Sequence, residues 1–289
     1  MDIKVIITLM RPYQYIKNIF ILLPLFFAVK ITDKEYLLSA LFAFVAFSLI
    51  ASGVYILNDY FDIEVDKLHP TKRFRPLAFG SITKFQAIFL MVLLFLIGFV
   101  ISAILSLKIL GIVVLYVILN IAYTLYLKHI AILDITIIAI GFVLRLFVGA
   151  FATNIELSMW IVVMTFLLAL FMALAKRRDD VLIYLDTGKK LRSVVDGYNL
   201  QFLDTAMAIM ASVVIVAYTI YTTSDTVVKR LHSDYLYLTS LFVILGILRY
   251  LQIVFVLKDS GSPTKIILKD RFIQCTIIGW IISFAWIIY

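Results

Sequence analysis

Apolar runs of about twenty residues, joined by short charged segments, follow one another along this chain, and most are hydrophobic all the way round rather than on one face. Runs long enough to cross a hydrocarbon core of roughly 30 Å predict spans near 16–33, 36–57, 85–106, 109–127, 131–153, 158–175, 202–222, 235–257 and 272–289. The fold class expected is all-α, a polytopic membrane bundle of nine helices. No Pro/Gly/Ser-rich linker or low-complexity run interrupts it, so a single membrane domain over 1–289 is the economical organisation. Ahead of the first span, Met1 to Lys17 lacks the small-residue cut site of a removable leader and reads as an interfacial helix ending at Arg11-Pro12.

Composition excludes a soluble domain. Of 289 residues, 64% are hydrophobic and 15% charged, leaving too little polar surface to cover a water-facing fold. Roughly nineteen lysines and arginines fall on the side holding the N-terminus and about five on the other, which predicts a cytoplasmic N-terminus and a C-terminus on the opposite side of the cell membrane. The net charge of +8 sits at span ends rather than in a basic domain, so topology accounts for it better than nucleic acid does. The single cysteine, Cys275, can form no intramolecular disulfide.

Against this background the segment Asn58 to Asp66 stands out, with Asp59, Asp62, Glu64 and Asp66 at the mouth of an apolar span. In one helix Asp59, Asp62 and Asp66 fall at i, i+3 and i+7 and line a face about two turns long. Mg²⁺ is bound by one or two carboxylates together with substrate phosphates, and Lys67, Lys72, Arg73 and Arg75 follow closely enough to neutralise the remaining phosphate oxygens. Span parity puts this loop (58–84), the loop 176–201, Lys128-His129 and Arg11/Lys17 on one membrane face, which permits a single polar chamber at the cytoplasmic end. Lys128 is read as a phosphate ligand or a topology marker. Asp134, just inside the fifth span, needs a cation or donor, and Arg145, eleven residues further along, is too deep to reach water easily, so it is either functional or a hydrogen-bond hub. Arg249 lies nearer a span end and reads as extending its head towards water. The second loop carries Lys176, Arg177, Arg178, Asp179 and Asp180, then Lys189, Lys190, Arg192 and Tyr198, a cationic surplus suited to a heavily phosphorylated substrate. His69 and His129 show no metal-ligand pairing.

Asn58-Asp59, Asp62 and Asp66, followed by Arg75-Pro76-Leu77 and Gly80, resemble the motif of the UbiA superfamily of intramembrane prenyltransferases. Longer strings, Arg11-Pro12-Tyr13-Gln14-Tyr15-Ile16-Lys17-Asn18, His69 to Pro76, Leu127-Lys128-His129 with Asp134, and Gly197-Tyr198, are similar to the decaprenyl-phosphate phosphoribosyltransferase branch. The resemblance implies a nine-helix enzyme with Mg²⁺ as cofactor, phosphoribosyl diphosphate as donor and a polyprenyl phosphate as acceptor. The second D-x-x-x-D motif of ordinary prenyl-diphosphate users is missing, since Ile183 and Tyr184 stand at the fourth place after Asp179 and Asp180. This departure favours the phosphoribosyl branch.

On that resemblance Asp59, Asp62 and Asp66 are the expected metal ligands and, with Asn58, the catalytic group. Lys17, Lys72, Arg73, Arg75, Lys128, Asp134, Arg145, Lys176, Lys189, Arg192 and Tyr198 are the expected substrate-binding residues. Two alternatives stay open: a UbiA-type transfer of a prenyl group to an aromatic or other acceptor, and a membrane transporter using Asp134 and Arg145.

Overall fold

The computed structural model describes residues 2–68, 71–188, 193–257 and 263–288, and no strand occurs among them. Two compact units divide the chain, Met1–Leu157 and Ser158–Tyr289.

The first unit opens with α1 (Ile3–Met10), capped by the Asp2 carboxylate on the Lys4 amide at 3.0 Å. Ile3 and Ile7, one turn apart, stay exposed while Leu9 is buried, as expected of a helix at an apolar boundary. It stops at Arg11, whose left-handed backbone (φ 56°) turns the chain into Pro12.

The apolar stretch expected as a span at 16–33 is built differently. It is an 11-residue 3₁₀ helix, Pro12–Leu22, followed by the short α2 (Leu23–Phe27). Among the described residues eight helices are long and apolar enough to cross a membrane, and this stretch is not one of them. The 3₁₀ rise of roughly 2.0 Å per residue against 1.5 Å in an α-helix nevertheless gives the two pieces, if collinear, a reach of about 30 Å. Three residues per turn also stack side chains in columns. Tyr15, Asn18 and Ile21 face inward, where Tyr15 meets Ser52 at 2.8 Å, Asn18 donates to Ser48 at 2.8 Å, and Ile21 lies against Gly149. A methyl group at Gly149 would sit 1.9 Å from the Ile21 carbonyl oxygen, so only glycine permits this approach.

α3 (Lys34–Phe61) has 28 residues and is about 42 Å long, more than a bilayer core needs, so its last two turns carry Asn58 and Asp59 beyond the apolar span. At Asp62 the helix breaks, and α4 (Ile63–Leu68) and α5 (Pro76–Phe79) follow, with Gly80 closing α5 at φ 84°. α6 (Lys84–Leu105) begins with a Thr83/Gln86 capping box, α7 (Leu107–Leu125) with Ser106, and α8 (Leu133–Thr153) completes the unit. Phe47, Ile50, Ile109, Val113, Leu144 and Val148 form its main core.

In the second unit, α9 (Met159–Thr187) is 29 residues long and similarly overshoots, placing Lys176 to Asp180 near its end. α10 (Leu200–Thr223), α11 (Asp225–Leu231), α12 (Ser240–Phe255, preceded by a 3₁₀ turn), α13 (Pro263–Lys269) and α14 (Arg271–Ile288) follow. A hydrogen-bonded group of Tyr218, Thr239 and Trp280 joins α10 and α14 to the turn before α12.

Candidate functional site

The carboxylates of the first unit do form a cluster, but not as one ladder. Asp59 and Asp66, 2% and 3% exposed, converge on Arg75: its Nη1 donates to Asp59 Oδ1 at 3.0 Å and to Asp66 Oδ2 at 2.6 Å. Arg11 Nη2 donates to the same Asp59 oxygen, with its guanidinium 5.5 Å from the Tyr55 ring centre. Asp62 parts from the other two because the helix breaks at its own position, and it pairs with Lys128 at 2.7 Å. Asn58 contacts the Thr124 hydroxyl. Thus Asp59, Asp66 and Arg75 are brought together as expected and Arg11 joins them, whereas Asp62 pairs apart with Lys128 and Asn58 with Thr124. Burial pushes the Asp66 carboxyl above the ordinary carboxylate range, with Arg75 acting in the opposite direction.

Asp59 Oδ2 is buried and has no hydrogen-bond partner among the described residues. A bare carboxylate oxygen in such surroundings is costly unless something cationic meets it. Among the described residues no group of three or more His, Cys, Asp or Glu side chains could hold a metal by itself. The arrangement still fits Mg²⁺, which uses one or two carboxylates and completes its shell with water and substrate phosphates. Asp59, with its uncovered oxygen, and Asp66 are the pair suited to that role. Asp62, held by Lys128, is a poorer third ligand than the sequence spacing suggests.

Other expected residues separate into groups. Arg73 is exposed and packs over Phe74 at 4.8 Å, outside the carboxylate cluster, while Lys72 is half-buried. Lys17, half-buried, forms no ion pair among the described residues and lies where the charges of Arg145 and Arg11 act on it. Arg145 is a hydrogen-bond hub: Nε donates to Asn18 at 2.8 Å, Nη1 to the Gly141 carbonyl at 2.8 Å and Nη2 to the Tyr116 hydroxyl at 3.2 Å, with the rings of Phe47, Tyr116 and Phe142 around it. No carboxylate pairs with it among the described residues. Asp134 is fully buried in the first turn of α8, two residues after Ile132, whose φ of 70° is strained for a β-branched side chain.

The second unit uses its charges otherwise. Arg177, 1% exposed, pairs with Asp180 at 2.5 Å, and Arg178 donates to Asp204 at 2.6 Å and to the Val254 carbonyl at 3.0 Å, tying α9 to α10 and α12. Lys176 is half-buried, and Tyr198 is buried beside a cleft of about 310 Å³ that Tyr184, Asp196 and Asn199 also line. Lys189, Lys190, Arg192 and His69 lie outside the described residues. Arg249 does not simply reach for water: it pairs with Asp270 at 2.7 Å, and this contact holds the Asp270 carboxyl below the usual range.

Arg11 and the Arg178 clamp escaped the sequence reading. Arg11 had a signal, since parity puts it on the carboxylate face. What the sequence hides is the left-handed turn that aims it.

The sequence pattern of the UbiA prenyltransferase family matches residues 19–276. A decaprenyl-phosphate phosphoribosyltransferase of Mycolicibacterium smegmatis is 32% identical, with 98% of this chain and 92% of that protein covered. One of Corynebacterium glutamicum is 29% identical over 97% and 85%. Among solved structures, a UbiA homologue from Archaeoglobus fulgidus bound to GPP and Mg²⁺ superposes with a TM-score of 0.74 at 18% identity, covering 97% of this chain and 99% of that one. With its eight candidate spans, the chain is a multi-pass membrane protein and belongs to the UbiA prenyltransferase family.

Proposed function

We propose that this protein is a membrane transferase that moves a phosphoribosyl group from phosphoribosyl diphosphate to a polyprenyl phosphate, releasing diphosphate. The observation that carries the reading is one Arg75 nitrogen shared by the buried Asp59 and Asp66, with Asp59 Oδ2 left uncovered. A cradle that alternates fixed cations with a bare carboxylate oxygen suits a metal-bridged diphosphate. The choice of phosphoribosyl over prenyl rests on the relatives that align over nearly the whole chain and on the absent D-x-x-x-D motif. The family match runs through both units and supports reading 1–289 as one transferase domain.

Mg²⁺, when bound by Asp59 and Asp66, supplies charge neutralisation to the diphosphate. Arg11, Arg75 and Lys128 hold the donor phosphates, and their guanidinium and ammonium groups stabilise the charge that gathers on the departing oxygens. The bond from the ribose anomeric carbon to the diphosphate oxygen breaks, and diphosphate leaves with the electron pair. An oxygen of the lipid phosphate forms the new bond to that carbon. The attacking group is already an anion, so no general base is required. Lys17 and the guanidinium of Arg145 add positive potential deeper in the first unit. The N-terminus is read as cytoplasmic in the cell membrane from the lysine and arginine distribution.

The test is incubation of the purified full chain with Mg²⁺, labelled phosphoribosyl diphosphate and polyprenyl phosphate, in parallel with prenyl diphosphate and an aromatic acid. Labelled lipid from the first mixture is expected. Product from the second mixture alone would overturn the assignment.

A further inference from the structure

The segment between α3 and α6 keeps large apolar side chains in the open. Phe74 and Phe79 are 61% and 66% exposed, and Phe61, Val65, Leu68 and Phe85 are exposed as well. Facing water on all sides, a patch of this size would invite association; here the segment starts and finishes at a membrane boundary. Phe61 ends α3, Phe85 lies in the first turn of α6, and these two helices pack on each other. Leu77 of α5 is buried in one cluster with Ile82, Ala87 and Leu90, which fastens α5 beside the first turns of α6. Phe79, two residues after Leu77, therefore stands near the level at which α6 enters the apolar layer.

Charge completes the patch. Arg73 is exposed and forms no hydrogen bond or ion pair among the described residues; its guanidinium lies 4.8 Å from the Phe74 ring centre, and the Phe74 and Phe79 rings are 6.5 Å apart. Lys84, also exposed, repeats the arrangement 5.9 Å from the Tyr60 ring centre. The exposed carboxylate of the segment, Glu64, is taken by Lys67 at 2.8 Å, so positive charge is left in surplus. Arg75 turns the other way, to Asp59 and Asp66, and the stretch thus has an inner cation and an outer one two residues apart. An outward cation flanked by aromatic rings at the edge of an apolar layer matches a phospholipid headgroup, with the rings at the interface and the guanidinium on the phosphate. We infer that Arg73, Phe74 and Phe79 form a headgroup site, which takes the phosphate of an anionic phospholipid from the leaflet at the end of α3 and holds the 3₁₀ turn Lys72–Phe74 against the bilayer. Arg73, expected from the sequence to meet the donor, meets the membrane instead.

Bimane attached to Phe79→Cys, with Cys275→Ser so that no other thiol reacts, reports on the site in the full chain reconstituted into phosphatidylcholine nanodiscs. The quenchers are spin-labelled phosphatidylglycerol and spin-labelled phosphatidylcholine, and no turnover is needed, so the result does not depend on which group the enzyme transfers. Both lipids are expected to quench, phosphatidylglycerol at about fivefold lower mole fraction, the preference that one basic side chain gives beside anionic lipid. Arg73→Gln should bring the two lipids to equality, whereas Arg73→Lys, which keeps the charge, should retain a preference of about twofold or more. Equal quenching in the parent would overturn the inference, and so would stronger quenching by aqueous iodide than by either lipid. Relief of the quenching by polyprenyl phosphate at a mole fraction far below that of phosphatidylglycerol would also overturn it, with the acceptor lipid as the occupant. Should Phe79→Cys not purify in folded form, Leu68→Cys carries the label on the exposed end of α4.

Discussion

The end of α3 and the end of α9 carry similar side chains, aspartates interleaved with arginines and lysines where a long helix outruns its apolar span, yet they use them in opposite ways. At α3 the cations arrive from distant points of the chain: Arg11 from the turn after α1, Arg75 from before α5 and Lys128 from beyond α7. Several charges crowd on a few oxygens and one carboxylate oxygen stays bare. At α9, Arg177 pairs with Asp180 three residues on, and Arg178 is a clamp between helices. Charge content alone does not distinguish the two ends; several cations converging on one carboxylate, with its second oxygen left uncovered, does.

The sharpest way to break this contrast is Asp59→Asn against Asp204→Asn. The first is expected to lower turnover by about 10³-fold or more with the protein still folded, since it removes the negative charge and one of the two oxygens offered to the metal; the second should change turnover less than about threefold per folded molecule. Equal losses would erase the distinction. Arg11→Gln comes next, with a fall of about 10²-fold in kcat/KM for the donor, read by initial rates across donor concentration. Arg178→Gln should lower the melting temperature by about 5 °C while the specific activity of the surviving folded fraction stays near that of the parent, because its role is to join α9 to α10 and α12. A loss of activity without a loss of stability would move Arg178 into the chemistry.

The smallest effect is expected at Arg249 and Asp270. Asp270 has its carboxyl held below the ordinary range by Arg249, so the folded state gains from this pair above the ordinary carboxylate pKa of roughly 3.9 and loses it as pH falls through the lowered folded value. Asp270→Asn should therefore melt about 1–2 °C below the parent at neutral pH, and the gap should close as pH is taken below about 4. A gap that widened on acidification would contradict the sign.

Much of this was legible from residues alone. Eight of nine expected spans correspond to long apolar helices, because hydropathy over some twenty residues reports directly on what lipid demands. The pairing of Asp59 and Asp66 with cations was also legible, since carboxylates at the mouth of an apolar helix repel one another unless cations are brought in. Three things were not legible. Asp62 leaves the carboxylate face because α3 breaks at that residue, which i, i+3, i+7 spacing cannot foresee. Arg11 reaches Asp59 only through a left-handed backbone that arginine seldom adopts. Arg145 was readable as either functional or structural, and its partners, Asn18, Tyr116 and Gly141, come from distant and adjacent positions that no local pattern connects.

The triangular cross-section of the 3₁₀ segment Pro12–Leu22 makes this stretch intolerant of changes in length. Tyr13 and Ile19 point outward and can be exchanged for other lipid-compatible side chains, but one inserted or deleted residue rotates everything beyond it by a third of a circle. Lys17 would then leave the neighbourhood of Arg145, and Asn18 would lose both Ser48 and the guanidinium it accepts from. Homologous chains are therefore expected to vary in letters here while keeping the number of residues between the Arg-Pro turn and the asparagine unchanged.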